Sequence, residues 1–176
     1  TINPLLERRY SYQSLDLSTV NRNGKLIIKA GGKGINVNRQ LNKLGVKNIA
    51  LLFTGGTNGK LLRETLREEK IFFSEVVTKN ETRESAIIID KSDEKIYSFF
   101  GTDTLISSNE ASEFISKLEK AISTCEIVVF SGSSPCKETD SIFVEGISIA
   151  NKLDKISVCD TYGRHLQDCY NASPTV

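Results

Sequence analysis

The feature that most limits how this chain can fold is the alternation of two hydrophobic periods along it. "GKLIIK" (24–29) reads as a strand. Lys33 to Leu44 then carries apolar residues at Val37, Leu41 and Leu44, spaced by four and three, which predicts a helix stripe closed by Gly45 as its C-cap. "NIALLF" (48–53) is a buried strand, and Thr57 to Glu69 predicts a helix with Leu61, Leu62 and Leu66 inward. Three strand-like runs without helices between them follow: "IFFSEVV", "SAIIID" and "EKIYSFF". Alternation then returns. Ser107 and Glu110 form a capping box before a face of Ala111, Phe114, Ile115, Leu118 and Ile122. "EIVVFS" (126–131) is a strand, Asp140 is expected to cap a helix through about Asn151, and "KISVCD" (155–160) is the next strand. Repeated strand–helix–strand units mean parallel pairing by right-handed crossovers. The expected fold is therefore α/β, a mostly parallel sheet with helices on both faces. The middle block, with "GKLIIK", is expected to form a small antiparallel flap on that body.

A chain of 176 residues is about one domain. It carries 23 Lys plus Arg against 22 Asp plus Glu, interspersed as in "KLLRETLREEK", so no basic stripe points to nucleic acid or a membrane surface. The four cysteines (125, 136, 159, 169) include no C-x-x-C pair and are expected to be free thiols of a reducing, cytoplasmic compartment. No metal site is expected from them. The chain starts at Thr1, contains no methionine and ends in "NASPTV" without a stop signal, which suggests a piece of something longer. If the sheet continues past "KISVCD", an open strand edge and uncovered apolar area are expected there.

Two glycine-rich turns invite a phosphate reading. "GGTNGK" (55–60) fails the Walker pattern, because the first glycine position falls on Thr54 and Leu61 stands where a hydroxyl should hold magnesium. A helix turn capped by Thr57 or Asn58 accounts for it. "AGGKGINVNRQLNKLG" (30–45) fails the dinucleotide fingerprint, with Val37 in place of the third glycine. It does offer bare backbone at a helix N-terminus, where free N–H groups and the helix dipole favour an anion. Lys33 adds a mobile charge, and Asn36 can donate to and accept from a pair of hydroxyls.

That stretch, together with "TINP", "TRESAIII", "FSGSSP" and "CDTYG" in this order, resembles the ribokinase-like (PfkB-type) carbohydrate kinases, within them the branch that phosphorylates phosphosugars. The resemblance implies that Gly31 and Gly32 let a sugar lie against the backbone and that Asn36 reads its hydroxyls. It implies that Lys33 and Arg83 hold the phosphate already on the substrate, and that Ser133 touches the sugar or its phosphate. The family's opening motif carries Asp where this chain has Glu7, and "GSSP" stands for the usual "GSLP". Asp160 matches the family's "DTSG" element and is not its catalytic base. The nucleotide contacts, anion hole and catalytic aspartate of the family lie around a "GAGD" motif that does not occur here, so no catalytic residue is assigned.

What the resemblance implies is the N-terminal part, 1–176, of a kinase that uses ATP and magnesium, acting on a phosphorylated ketohexose, with fructose 1-phosphate to fructose 1,6-bisphosphate as the expected reaction. This part alone is expected to be inactive and to carry neither ATP nor metal. Strands from about 10–29 and 84–100 would form a lid over the sugar and pair two copies as a homodimer. A non-catalytic sugar-phosphate sensor on the same scaffold is the competing expectation. A generic nucleotide-binding domain is disfavoured by both failed phosphate loops.

Overall fold

The computed structural model describes residues 1–176. Its strands are β1 (Leu5–Tyr12), β2 (Lys25–Gly31), β3 (Ala50–Gly55), β4 (Phe73–Thr78), β5 (Glu84–Asp90), β6 (Lys95–Phe100), β7 (Ile127–Ser131) and β8 (Ile156–Asp160). Its helices are α1 (Lys33–Lys43), α2 (Gly56–Glu68), α3 (Ser108–Ser123), α4 (Ser141–Lys152) and α5 (Leu166–Asn171). β3 pairs in parallel with β4, and β7 in parallel with β8. Neighbouring residues of β3 point to opposite sides: Leu52 packs with Ile35, Leu62 and Leu66 of α1 and α2, whereas Phe53 packs with Phe114 and Leu118 of α3. Helices therefore cover both faces of a mostly parallel α/β body, as the alternating periods predict. Most of the apolar burial lies on the α3–α4 side, where Phe53 and Phe114 stack with ring centres 4.5 Å apart.

β3-β4 and β7-β8 are separate two-stranded sheets, and the remaining four strands form a third sheet in the order β2-β1-β5-β6. Leu6 and Ala30 root it in the core beside Leu52 and Ile35, and exposure grows along β1 and β2 away from that root. It projects as a flap. Two expectations are corrected here. The flap is mixed, because β1 and β5 at its centre run parallel, with Leu6 opposite Glu84. "IFFSEVV" is no part of it, since β4 belongs to the body.

Local signals met different fates. Ser107 and Glu110 form the reciprocal capping box. Gly45, at φ +72°, ends α1 with the paired bonds from Val46 N–H to the Leu41 carbonyl and from Gly45 N–H to the Asn42 carbonyl. The stripe of α1 is displaced, however: the helix buries Ile35 and Asn38, while Leu44 is 75% exposed. Asp140 precedes α4 without capping it, because Arg164 takes its carboxylate. Neither Thr57 nor Asn58 caps α2; the Glu81 carboxylate accepts from the Asn58 N–H instead.

The outer edge of β8, expected to be open, is covered by Val176, which bonds to Ser157 and Cys159 at 3.0 and 2.9 Å. β3 and β7 are each paired along one edge only. They border an apolar cavity of about 710 Å³ that Val37 and Leu41 of α1 and Phe114, Leu118 and Phe143 also line. Thr1 lines the edge of this cavity, and its nitrogen donates to the Leu51 carbonyl at 3.0 Å.

Candidate functional site

The site begins at the bend between β2 and α1. Gly32 there has φ +123° and ψ 143°, a conformation essentially closed to side-chain residues, and a Cβ would lie 3.4 Å from the Pro4 Cα. The backbone of Thr1 to Pro4 thus passes directly beside the bend. On the other side of that segment, Gly132 follows β7 with φ +107°, and a Cβ on it would lie 3.9 Å from both the Lys33 Cβ and the Thr1 hydroxyl. Two glycine turns at the ends of β2 and β7 close on one short stretch of chain. Ligands of open α/β sheets bind at the carboxyl ends of strands, and both turns sit there.

Asn3 occupies the centre of this arrangement and is only 4% exposed. Its side-chain NH2 donates to the Ser133 hydroxyl at 3.0 Å and to the Asp103 carboxylate at 2.9 Å. Its backbone carbonyl accepts from an Arg83 Nη at 3.0 Å, and the other Arg83 Nη donates to the same Asp103 oxygen at 2.8 Å. Arg83 is further fixed through its backbone N–H, which donates to the Thr104 hydroxyl at 3.1 Å. Two buried polar atoms of the cluster have no partner, the Asn3 side-chain oxygen and Arg83 Nε. Left unpaired, each carries a desolvation cost on the order of 1–3 kcal/mol.

Lys33 opens α1, and its Nζ lies 3.1 and 3.2 Å from the two Asp160 oxygens and 5.4 Å from the centre of the Tyr162 ring. The Ser131 hydroxyl donates to Asp160 at 3.4 Å. Asn36, one turn on, is exposed, and its side-chain oxygen accepts from Arg39 at 2.7 Å, while its NH2 is free to donate. Glu7 lies over Gly31, where a Cβ would come 2.7 Å from its Cγ, and accepts from Arg9 at 2.8 Å.

Of the residues singled out in the sequence, Gly32, Lys33, Ser133 and Arg83 are joined through Thr1–Pro4, with Gly31 and Glu7 on the adjoining strands. Asn36 points its oxygen elsewhere. The two cations do not stand free as a phosphate grip would require; each holds an aspartate. Sequence reasoning missed Asn3 and Asp103. Asn3 lies within the quoted "TINP", but nothing in its neighbourhood marks its side chain as a junction. Asp103 sits in "GTDT" among turn-forming residues.

The turn carrying Ser133 is supported from behind. Thr161 donates to the Gly132 carbonyl at 2.8 Å and lies 2.7 Å from Nε2 of His165, the chain's single histidine. Burial lowers the His165 pKa, opposed by the Asp140 carboxylate. Burial pushes the Cys169 thiol up to about 12, so that thiol is a core group and no nucleophile. No cluster of three His, Cys, Asp or Glu side chains able to hold a metal ion is present, and no helix is long and apolar enough to cross a membrane.

An α/β body with a projecting β flap and glycine turns at the strand ends defines the class of fold. Residues 7–175 match the profile of the pfkB family carbohydrate kinases, and the chain belongs to that family. Tagatose-6-phosphate kinase of Staphylococcus epidermidis is 29% identical over 178 residues, a match that takes in all of this chain and 57% of the relative. A solved structure described as a possible 1-phosphofructokinase from Thermotoga maritima superimposes with a TM-score of 0.86 at 28% identity, covering 97% of this chain and 55% of the other. Phosphofructokinase-2 of Escherichia coli, solved with fructose 6-phosphate, shares the fold with a TM-score of 0.86 at 23% identity, covering 98% and 56%. This chain thus spans a little over half the length of these relatives.

The bend itself is testable. Gly32→Ala should cost about 1–3 kcal/mol, because it places a side chain in a backbone region reserved for glycine. Urea denaturation that returns the wild-type midpoint would show that the bend is not strained in this way.

Proposed function

We propose that this chain is the substrate-binding part of a sugar-phosphate kinase and that its cleft takes a phosphorylated ketohexose, fructose 1-phosphate first among them. The observation that carries this reading is the convergence of the Gly32 bend, Lys33, Ser133 and Arg83 on the Thr1–Pro4 segment. Each is suited to its part. Gly31 and Gly32 let a sugar ring approach the backbone, and the N-terminal N–H groups of α1 attract an anion. Lys33 is a point charge and Arg83 a planar fork, the two ways a protein grips phosphate. Ser133, the free NH2 of Asn36 and Glu7 remain for hydroxyls. The names of the relatives, a tagatose-6-phosphate kinase and phosphofructokinases, agree with a phosphorylated sugar.

ATP and magnesium belong to this reading for the intact enzyme only. The residues present provide no metal-binding cluster, so no step is routed through either. Within 1–176 the role is to bind and orient the acceptor sugar without transferring a phosphoryl group. The flap of β1, β2, β5 and β6 would close over the sugar, and its exposed Leu26, Ile27, Ile96, Phe99 and Phe100 offer an apolar surface for pairing two copies in the cytoplasm.

Calorimetric titration with fructose 1-phosphate, fructose 6-phosphate and tagatose 6-phosphate tests the reading. Wild type should bind at least one, and Lys33→Ala and Arg83→Ala should each weaken it by roughly tenfold or more, as expected for losing a charged partner of a phosphate. Equal heats from all three proteins would rule out the grip. ATP added with any of the sugars should give no bisphosphate.

A further inference from the structure

The carboxylate of Asp103 is placed where a ligand's anion would be expected. It lies in the connection from β6 to α3, and one of its oxygens takes hydrogen bonds from both Arg83 and Asn3, at 2.8 and 2.9 Å. The Arg83 side chain is 14% exposed and that of Asp103 is 43%, so the arginine's charge is largely withdrawn from water while the aspartate's reaches it. The Lys33–Asp160 pair in the same cleft is different. Both its side chains are about half exposed or more, at 49% and 61%, and water screens such a pair to little net effect. Arg83 is therefore the cation whose pairing matters most to an incoming charge.

We propose that Asp103 determines how strongly the cleft binds an anion: it occupies the Arg83 guanidinium in the ligand-free protein, and a sugar's phosphate engages Arg83 by displacing it. The inference rests on the sugar-phosphate reading above and adds the residue that sets its charge preference. Three features support displacement over a permanent pin. Asp103 sits in a connecting loop and not in a strand or helix. Arg83 has two anchors besides Asp103, the Asn3 carbonyl and its own backbone bond to Thr104. The cluster also retains an unused donor, Arg83 Nε, and an unused acceptor, the Asn3 side-chain oxygen. A phosphate beside a hydroxyl supplies the complements of both once the loop moves aside. A dianion arriving with Asp103 in place would instead meet a like charge within a few ångströms of Arg83.

Asp103→Asn is the decisive variant, because the amide keeps an oxygen for Arg83 and Asn3 while removing the charge. Calorimetry with the three sugar phosphates, and with fructose as the uncharged probe, should show affinity for the best sugar phosphate rising about tenfold or more. Affinity for fructose should change less than about twofold. In an Arg83→Gln background the gain from Asp103→Asn should disappear, since it requires the guanidinium. Circular dichroism melts establish that each variant is folded. A folded Asp103→Asn protein whose sugar-phosphate affinity is unchanged or lower, while wild type binds, overturns this inference and leaves the proposed function standing. So does a gain that survives in the Arg83→Gln background, or an equal gain for fructose. If neither wild type nor folded Asp103→Asn retains any sugar phosphate at millimolar concentration, the proposed function fails and this inference with it.

Discussion

The side chain of Asn3 is the junction on which the site depends. Its amide joins the loop after β6 to the turn after β7, and the carbonyl of the same residue fixes Arg83 at the start of β5. These partners lie 80 to 130 residues away in the chain. A short polar side chain with two donors and one acceptor can do this only when buried, where each bond counts for more because water is excluded. The same burial explains the two glycine turns. Gly32 and Gly132 let their loops approach the Thr1–Pro4 segment closely enough for the Asn3 network to form.

Charge balance gives this cleft its character. Arg83 faces Asp103, Lys33 faces Asp160, and Arg9 faces Glu7, so each of these three cations has a carboxylate partner. Behind the turn that carries Ser133, Thr161 donates to the Gly132 carbonyl and lies beside His165 Nε2.

How much was legible in the sequence follows from the range of each interaction. The alternation of strands and helices from β2 onward, the Ser107–Glu110 capping box and the end of α1 at Gly45 are set within a few residues and are found, whereas β1 (Leu5–Tyr12) was not read as a strand. Signals that needed a distant partner went astray. Asp140 carries the composition of a cap, yet Arg164 is the stronger partner for its carboxylate. α2 is capped by Glu81 from the far side of β4. The Val37–Leu41–Leu44 stripe is a true helical period, but the body presents its covering surface to Ile35 and Asn38 instead. In the site, the glycines, Lys33, Arg83 and Ser133 were readable from motif resemblance, whereas Asn3 and Asp103 were not, because a side chain's role as a bridge has no local pattern.

By itself, then, the sequence determined an α/β body with parallel crossovers, a strand-rich insertion and a bare helix start beside a lysine. Hydrophobic period and glycine placement act over one turn or one strand, and they survive without knowledge of neighbours. Only the tertiary structure decided that the flap is mixed, that both cations hold aspartates, and that Asn3 binds three remote loops into one cleft. Those outcomes depend on which groups lose their water together, and that is settled when distant segments pack.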